Sequence, residues 1–133
     1  MNPKNASIVR LALLANAALS TTTGALALTL HRPLSQHLGL SPGPWIPAIG
    51  AGLLLFAGLL LWSVRRGPTR QDLVAFVLGD WAWVLGSMAL VLLAPDLLSA
   101  DGRVLVSLLA VPVAVLGSLQ ALGLAPERRA LEG

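Results

Sequence analysis

A chain of 133 residues that is 56% hydrophobic and only 11% charged, with a mean hydropathy of +0.79, carries more apolar surface than a soluble domain of this length can bury. A formal charge of +3 does not point to nucleic acid, because the nine Lys and Arg lie in short segments between apolar runs and form no basic face with interleaved aromatics. With no cysteine, disulfides, thiolate metal sites and thiol redox chemistry are excluded.

Four runs reach the length of about 20 apolar residues that a membrane-crossing helix needs. They cover about 9–30, 46–64, 73–93 and 104–124. The first ends at His31-Arg32-Pro33. Its basic start at Lys4 and Arg10, the apolar Leu11 to Leu19 and the small Ala25-Leu26-Ala27 also fit a cleavable signal peptide. The run continues to Leu30, however, which is long enough to span and favours a retained helix. Between Pro33 and Pro42, Leu34, Leu38 and Leu40 suggest a short interfacial segment. Ser41-Pro42-Gly43-Pro44 then separates the second run, and Arg65-Arg66-Gly67-Pro68 the third. Ala94-Pro95-Asp96 and Asp101-Gly102 precede the fourth, in which Pro112 is expected to introduce a kink.

The reading is therefore all-α: a single transmembrane domain over 1–133, built as a four-transmembrane-helix up-down bundle. Lys4, Arg10, Arg65, Arg66, Arg70, Arg128 and Arg129 fall on one side of it, and only Arg32 and Arg103 on the other. Short flanks rich in Lys and Arg resist translocation, so both termini should be cytoplasmic. Trp45 and Trp62 sit at opposite ends of the second run, where amphipathic rings prefer the headgroup level. The two halves also read as helical hairpins of the same orientation with Asn16 matching Asp80, although any two Leu- and Ala-rich hairpins align about as well.

Packing faces are read from small residues, since helices in lipid associate by close backbone approach. The third run carries Ala75, Gly79, Ala82, Gly86 and Ala89 at alternating steps of four and three, a stripe expected to face protein. The first run has Ala12, Asn16, Ser20 and Gly24 at steps of four, the second Ala48 and Gly52, and the fourth Gly117 and Ala121.

Asp80 is the only carboxylate inside any of the four runs, and a charge at that depth marks a functional hypothesis by default. At 1.5 Å per residue it lies about 12 Å in from the positive side, and Asn16 about 9 Å beyond Arg10. Gln120 stands one turn inside the fourth run, so the three polar groups can share one level. Trp83 and Ser87 share a face with Asp80, and Trp83 is expected to enclose it, while Trp81 points about 200° away from Trp83. Apart from Arg10 at the very start of the first run, no Lys, Arg or His lies within the spans to pair with the acid. A neutral Asp80 can donate to Asn16 or Gln120, and an ionised one can take a proton or a cation. Alternatively the group is an interhelical clasp. Thr21, Thr22 and Thr23 can line a polar path or satisfy themselves on the preceding turn.

His31 and His37 with Asp96 and Asp101 match no metal-binding spacing, so no metal site and no cofactor are expected. No nucleophile with a base and no phosphate-binding glycine loop is visible. Two functions remain: a small transporter or polar-ligand-binding bundle with a protonatable Asp80, or a non-catalytic accessory subunit of a larger membrane complex. The lipid bilayer is a partner in either case, and a homo-oligomer suits the first, since four short helices barely enclose a path.

The runs Leu38-Gly39-Leu40-Ser41-Pro42 with Trp45, Gly50 to Ala57 and Asp80 to Ser87 resemble small four-helix inner-membrane proteins of GC-rich bacteria. The resemblance implies the bundle, a place in a bacterial inner membrane, and no particular activity. Small multidrug transporters and fluoride channels are of similar length. The first run has Asn16 and no embedded Glu, the Gly-Arg-Tyr-like segment of the channels is absent, and the charge bias opposes dual topology, so no site is carried over from either.

Overall fold

Helix α1 (Pro3–Thr29) starts earlier than the apolar run alone indicates. The Asn2 side chain accepts from the Lys4 backbone N–H and Pro3 fills the first turn, so the polar lead-in is already helical. The computed structural model describes residues 1–126; Arg128 and Arg129, counted in the charge asymmetry, lie outside it. Within it follow α2 (His31–Leu38), α3 (Trp45–Arg66), α4 (Arg70–Leu93) and α5 (Ala100–Ala121), with single 3₁₀ turns at Pro95–Leu97 and Leu122–Leu124. Among the described residues there is no strand, and α1, α3, α4 and α5 are long and apolar enough to cross a membrane.

The segment after His31 folds as α2 and stops at Gly39, whose φ of 75° ends the helix in the left-handed region. Leu38 is buried, and Leu34 and Leu40 pack with it against Ala27, Ile46 and Leu98. The Ser99 backbone N–H donates to the Leu38 carbonyl at 2.8 Å. A Cβ at Gly102 would stand 2.9 Å from the Leu38 backbone, so α2 lies directly on the first turn of α5.

The opposite end is closed by a second apolar cluster that includes Val9, Leu13, Leu60, Val64 and Leu73, with Leu124 packed against it. The Arg10 guanidinium donates to the Val64 carbonyl and that of Arg70 to the Leu124 carbonyl, both at 3.5 Å. The start of α1, the end of α3, the start of α4 and the end of α5 thus meet at one end. The α3–α4 corner is fixed by a capping box: Thr69 Oγ1 accepts from the Asp72 backbone N–H, and Asp72 Oδ2 accepts from that of Thr69. Arg66 pairs with Asp72 at 2.6 Å and lies 4.4 Å from the centre of the Trp62 ring. Trp45 and Trp62 are 70% and 60% exposed at the two ends of α3, which suits rings anchored outside the bundle.

Two helix pairs dominate the packing, α1 with α3 and α4 with α5, and α1 also rests on α5. The α1–α3 contact is closest at Gly24 and Gly50. A Cβ on either would meet the carbonyl oxygen of the other at 2.8 Å. The α1 stripe Ala12, Asn16, Ser20 and Gly24 is buried as the spacing indicates. On α3 the close-approach residues are Gly50 and Ala57, while Ala48 and Gly52 are exposed. Gly117 is buried and Ala121 is half-buried on α5; Pro112 lies inside that helix without ending it.

The small-residue stripe of α4 is not buried against another helix of this chain; at Gly79 only the Phe56 ring comes near, 3.4 Å from where a Cβ would stand. Ala75, Gly79, Ala82, Gly86 and Ala89 are all exposed, and the space beside Gly86 is open. The inward face runs instead through Leu73, Phe76, Asp80 and Val84. α3 and α4 are held apart by bulk, with the Phe56 and Phe76 rings in edge-to-face contact at 5.6 Å, so small residues have no close approach to serve there. It follows that Gly86→Leu should leave thermal stability in detergent nearly unchanged. Leu90→Ala, which removes a half-buried side chain from the cluster under α2, should lower stability by about 1 kcal/mol, toward the low end for large-to-small changes. A larger loss in Gly86→Leu than in Leu90→Ala would show that the stripe is covered by something outside the chain.

Candidate functional site

Asp80 enters the bundle from the inward face of α4 and is 3% exposed. Asn16, on the buried stripe of α1, donates from Nδ2 to both carboxylate oxygens, at 3.0 Å to Oδ1 and 2.8 Å to Oδ2. Gln120, on the last turn of α5, donates from Nε2 to Oδ2 at 3.0 Å. Ser20 Oγ, one turn along from Asn16, donates to Asn16 Oδ1 at 3.4 Å. Polar groups on three helices are thereby gathered around one acid. The sequence depths of Asn16, Asp80 and Gln120 correspond to this direct contact.

The same geometry shows what allows the cluster to form. Gly117 faces Asp80 so closely that a Cβ on it would stand 3.1 Å from Asp80 Cβ. This lets α5 approach α4 and brings Gln120, one turn on, to the carboxylate. The α1 and α4 backbones do not pack against each other, so the Asn16 amide spans the gap between them.

As the groups stand, Asp80 only accepts: every bond to it comes from an amide N–H. Gln120 is fully buried, and its Oε1 has no hydrogen-bond partner among the described residues. Such an orphaned acceptor is costly in a low-dielectric interior. It also has a use. If Asp80 carries a proton, its O–H needs an acceptor, and reversal of the Gln120 amide turns Oε1 toward Oδ2 with no change in the backbone. The cluster can therefore hold Asp80 both as carboxylate and as acid.

Beyond the cluster lies a cavity of about 150 Å³. α1 contributes Asn16, Leu19, Ser20 and Thr23 to its wall, α3 Leu53 and Phe56, α4 Gly79, Asp80 and Trp83, and α5 Leu109 and Val113. Thr21 and Thr22 donate to the carbonyls of Ala17 and Ala18, four residues back, whereas Thr23 makes no such bond and faces the cavity. Trp83 walls the cavity beside Asp80, while Trp81 is 37% exposed on another side of α4. Ser87 is half-buried one turn further along, and neither the cluster nor the cavity includes it.

Sequence reasoning treated Ser20 only as a small packing residue. Its position four residues after Asn16 was the signal that it could bond to that side chain. Phe56 carried no signal, because a lone Phe among leucines says nothing about which cavity it walls. Among the described residues, no group of three or more His, Cys, Asp or Glu could hold a metal ion. In comparisons with known proteins, no family model, curated protein or solved structure matches the chain.

Proposed function

We propose that the chain is a multi-pass membrane protein, an up-down bundle with both termini in the cytoplasm of a bacterial cell, and that Asp80 is a proton- and ligand-binding group inside it. Asp80, Asn16, Gln120, Trp83 and Ser87 form the proposed site region, with Ser87 at its margin. One observation carries the reading: Asp80, the only buried acid among the described residues, is held by reversible amides from two other helices at the edge of a cavity walled by all four spans. A pure clasp needs no adjoining cavity and no spare acceptor. The bundle would bind or move a small solute coupled to the protonation of Asp80. Asp80→Asn keeps the shape and hydrogen-bonding capacity of the group but cannot titrate. Purified Asp80→Asn protein should take up fewer protons than wild type on a jump from neutral to acidic buffer. Equal uptake would remove Asp80 from the chemistry.

The orientation is testable separately, since a chain without cysteine gives no labelling background. An Arg65→Cys protein should be shielded from an impermeant thiol reagent in intact cells and a Gln36→Cys protein should be labelled. The reverse pattern would invert the bundle. The alternative role as an accessory subunit is favoured by the exposed stripe on α4, a run of five small residues that no helix of this chain buries. A stoichiometric partner that co-purifies in mild detergent and is lost in Gly86→Leu would establish it.

A further inference from the structure

We propose that the cavity takes a small amphipathic ammonium ion with an apolar body about the size of one ring, and that this ligand enters sideways, between α3 and α4. The inference rests on the reading of Asp80 as a binding group and adds the ligand's class and its route.

The charge of the head group follows from what surrounds the acid. Asp80 is held by neutral amides alone and forms no ion pair among the described residues, so an ionised Asp80 has no counter-charge. A bound cation would supply one. Asn16 Oδ1, Ser20 Oγ and Thr23 Oγ1 offer acceptors on the same wall of the cavity, which suits an ammonium with several N–H donors. A bare metal ion, which needs about six oxygen ligands, is less well served, because the wall beyond these groups is largely apolar. Phe56 and Trp83 add aromatic rings to the wall, a lining that tolerates a cation better than aliphatic side chains do.

The body follows from volume and lining. Leu19, Leu53, Leu109 and Val113 make much of the wall apolar, and a cavity near 150 Å³ is about the size that accepts one benzene ring. The route follows from the helix arrangement. α3 and α4 do not pack backbone to backbone, and Phe56 is pinned by Phe76. Gly79 lines the cavity yet is itself exposed, with only the Phe56 ring, at 3.4 Å, near its missing side chain. This is a thin wall on the side that a bilayer would cover, and an amphipathic amine partitions into that bilayer. The far ends are closed by α2 on one side and by the Val9, Leu73 and Leu124 cluster on the other.

Benzylamine is a suitable probe, with benzyl alcohol as its uncharged counterpart, measured by titration calorimetry on the purified full chain in detergent. Benzylamine should bind wild type at least tenfold more tightly than benzyl alcohol, and binding should be lost in Asp80→Asn. Gly79→Leu, which hangs a side chain over the opening from an exposed position, should abolish binding while leaving the melting temperature near that of wild type; Gly79→Ala should still bind. Equal affinity for the alcohol, or full binding by Asp80→Asn, would overturn the cationic head group. Unimpaired binding by a folded Gly79→Leu would overturn the lateral route. Saturable binding of sodium ion with none of benzylamine would make this a metal-ion site instead. If benzylamine fails to bind while proton uptake still depends on Asp80, only the present inference falls; if that dependence is also absent, the reading beneath it falls as well.

Discussion

Gly24→Leu should separate α1 from α3 and leave a protein that extracts poorly or melts far below wild type, with a loss of about 3 kcal/mol or more. Even a Cβ at this position would sit 2.8 Å from the Gly50 carbonyl oxygen and about as close to Leu54 Cγ and Leu53 Cβ, at 3.1 and 3.2 Å. The first obstacle is backbone and cannot rotate away. Gly50→Leu should behave alike, because its Cβ meets the Gly24 carbonyl at the same 2.8 Å. Gly52→Leu serves as the control: nothing lies within 4 Å of a Cβ there, so the same side chain on the same helix should be accepted. A melting temperature for Gly24→Leu equal to that of Gly52→Leu would mean that the two helices do not cross at this point.

The second large effect is expected at Asp80. Asp80→Leu strands two buried amide donors, Asn16 Nδ2 and Gln120 Nε2, and removes the one link between α1 and α4 at that level. The loss should be about 2 kcal/mol, since interhelical hydrogen bonds in membranes average about 0.6 kcal/mol each and an unpaired buried donor costs about 1–3. Asp80→Asn retains an acceptor oxygen and should lose much less. Thermal melts in one detergent compare the two; a Leu variant as stable as the Asn variant would show that the amides find other partners.

How much of this was legible in the sequence depends on the kind of signal each residue carries. The four spans and their breakers follow from apolar length and from Pro and Gly, and the described helices agree. The meeting of Asn16, Asp80 and Gln120 was legible because depth along a helix is a matter of counting residues, and few polar residues stand at that depth. The inward face of α4 was not legible. In a soluble helix, polarity separates inside from outside, but here Leu78 and Leu85 face outward as readily as Leu73 and Val84 face inward. The stripe from Ala75 to Ala89 marked where a helix could approach closely, whereas the Phe56–Phe76 contact decided that none of this chain's helices does. The cavity was hidden for the same reason, being the space left when α3 and α4 are propped apart by rings that the sequence does not pair.

Whether Asp80 works or merely fastens is decided most directly by infrared difference spectroscopy of the purified protein between alkaline and acidic buffer. A carboxylic-acid C=O band should appear on acidification, be missing in Asp80→Asn, and change position in Gln120→Leu, where the acceptor that the acid turns to has been removed. A spectrum in which no band depends on Asp80, across the range in which the protein remains folded, would contradict the account: the residue would then hold one protonation state throughout and serve only to tie α1, α4 and α5 together.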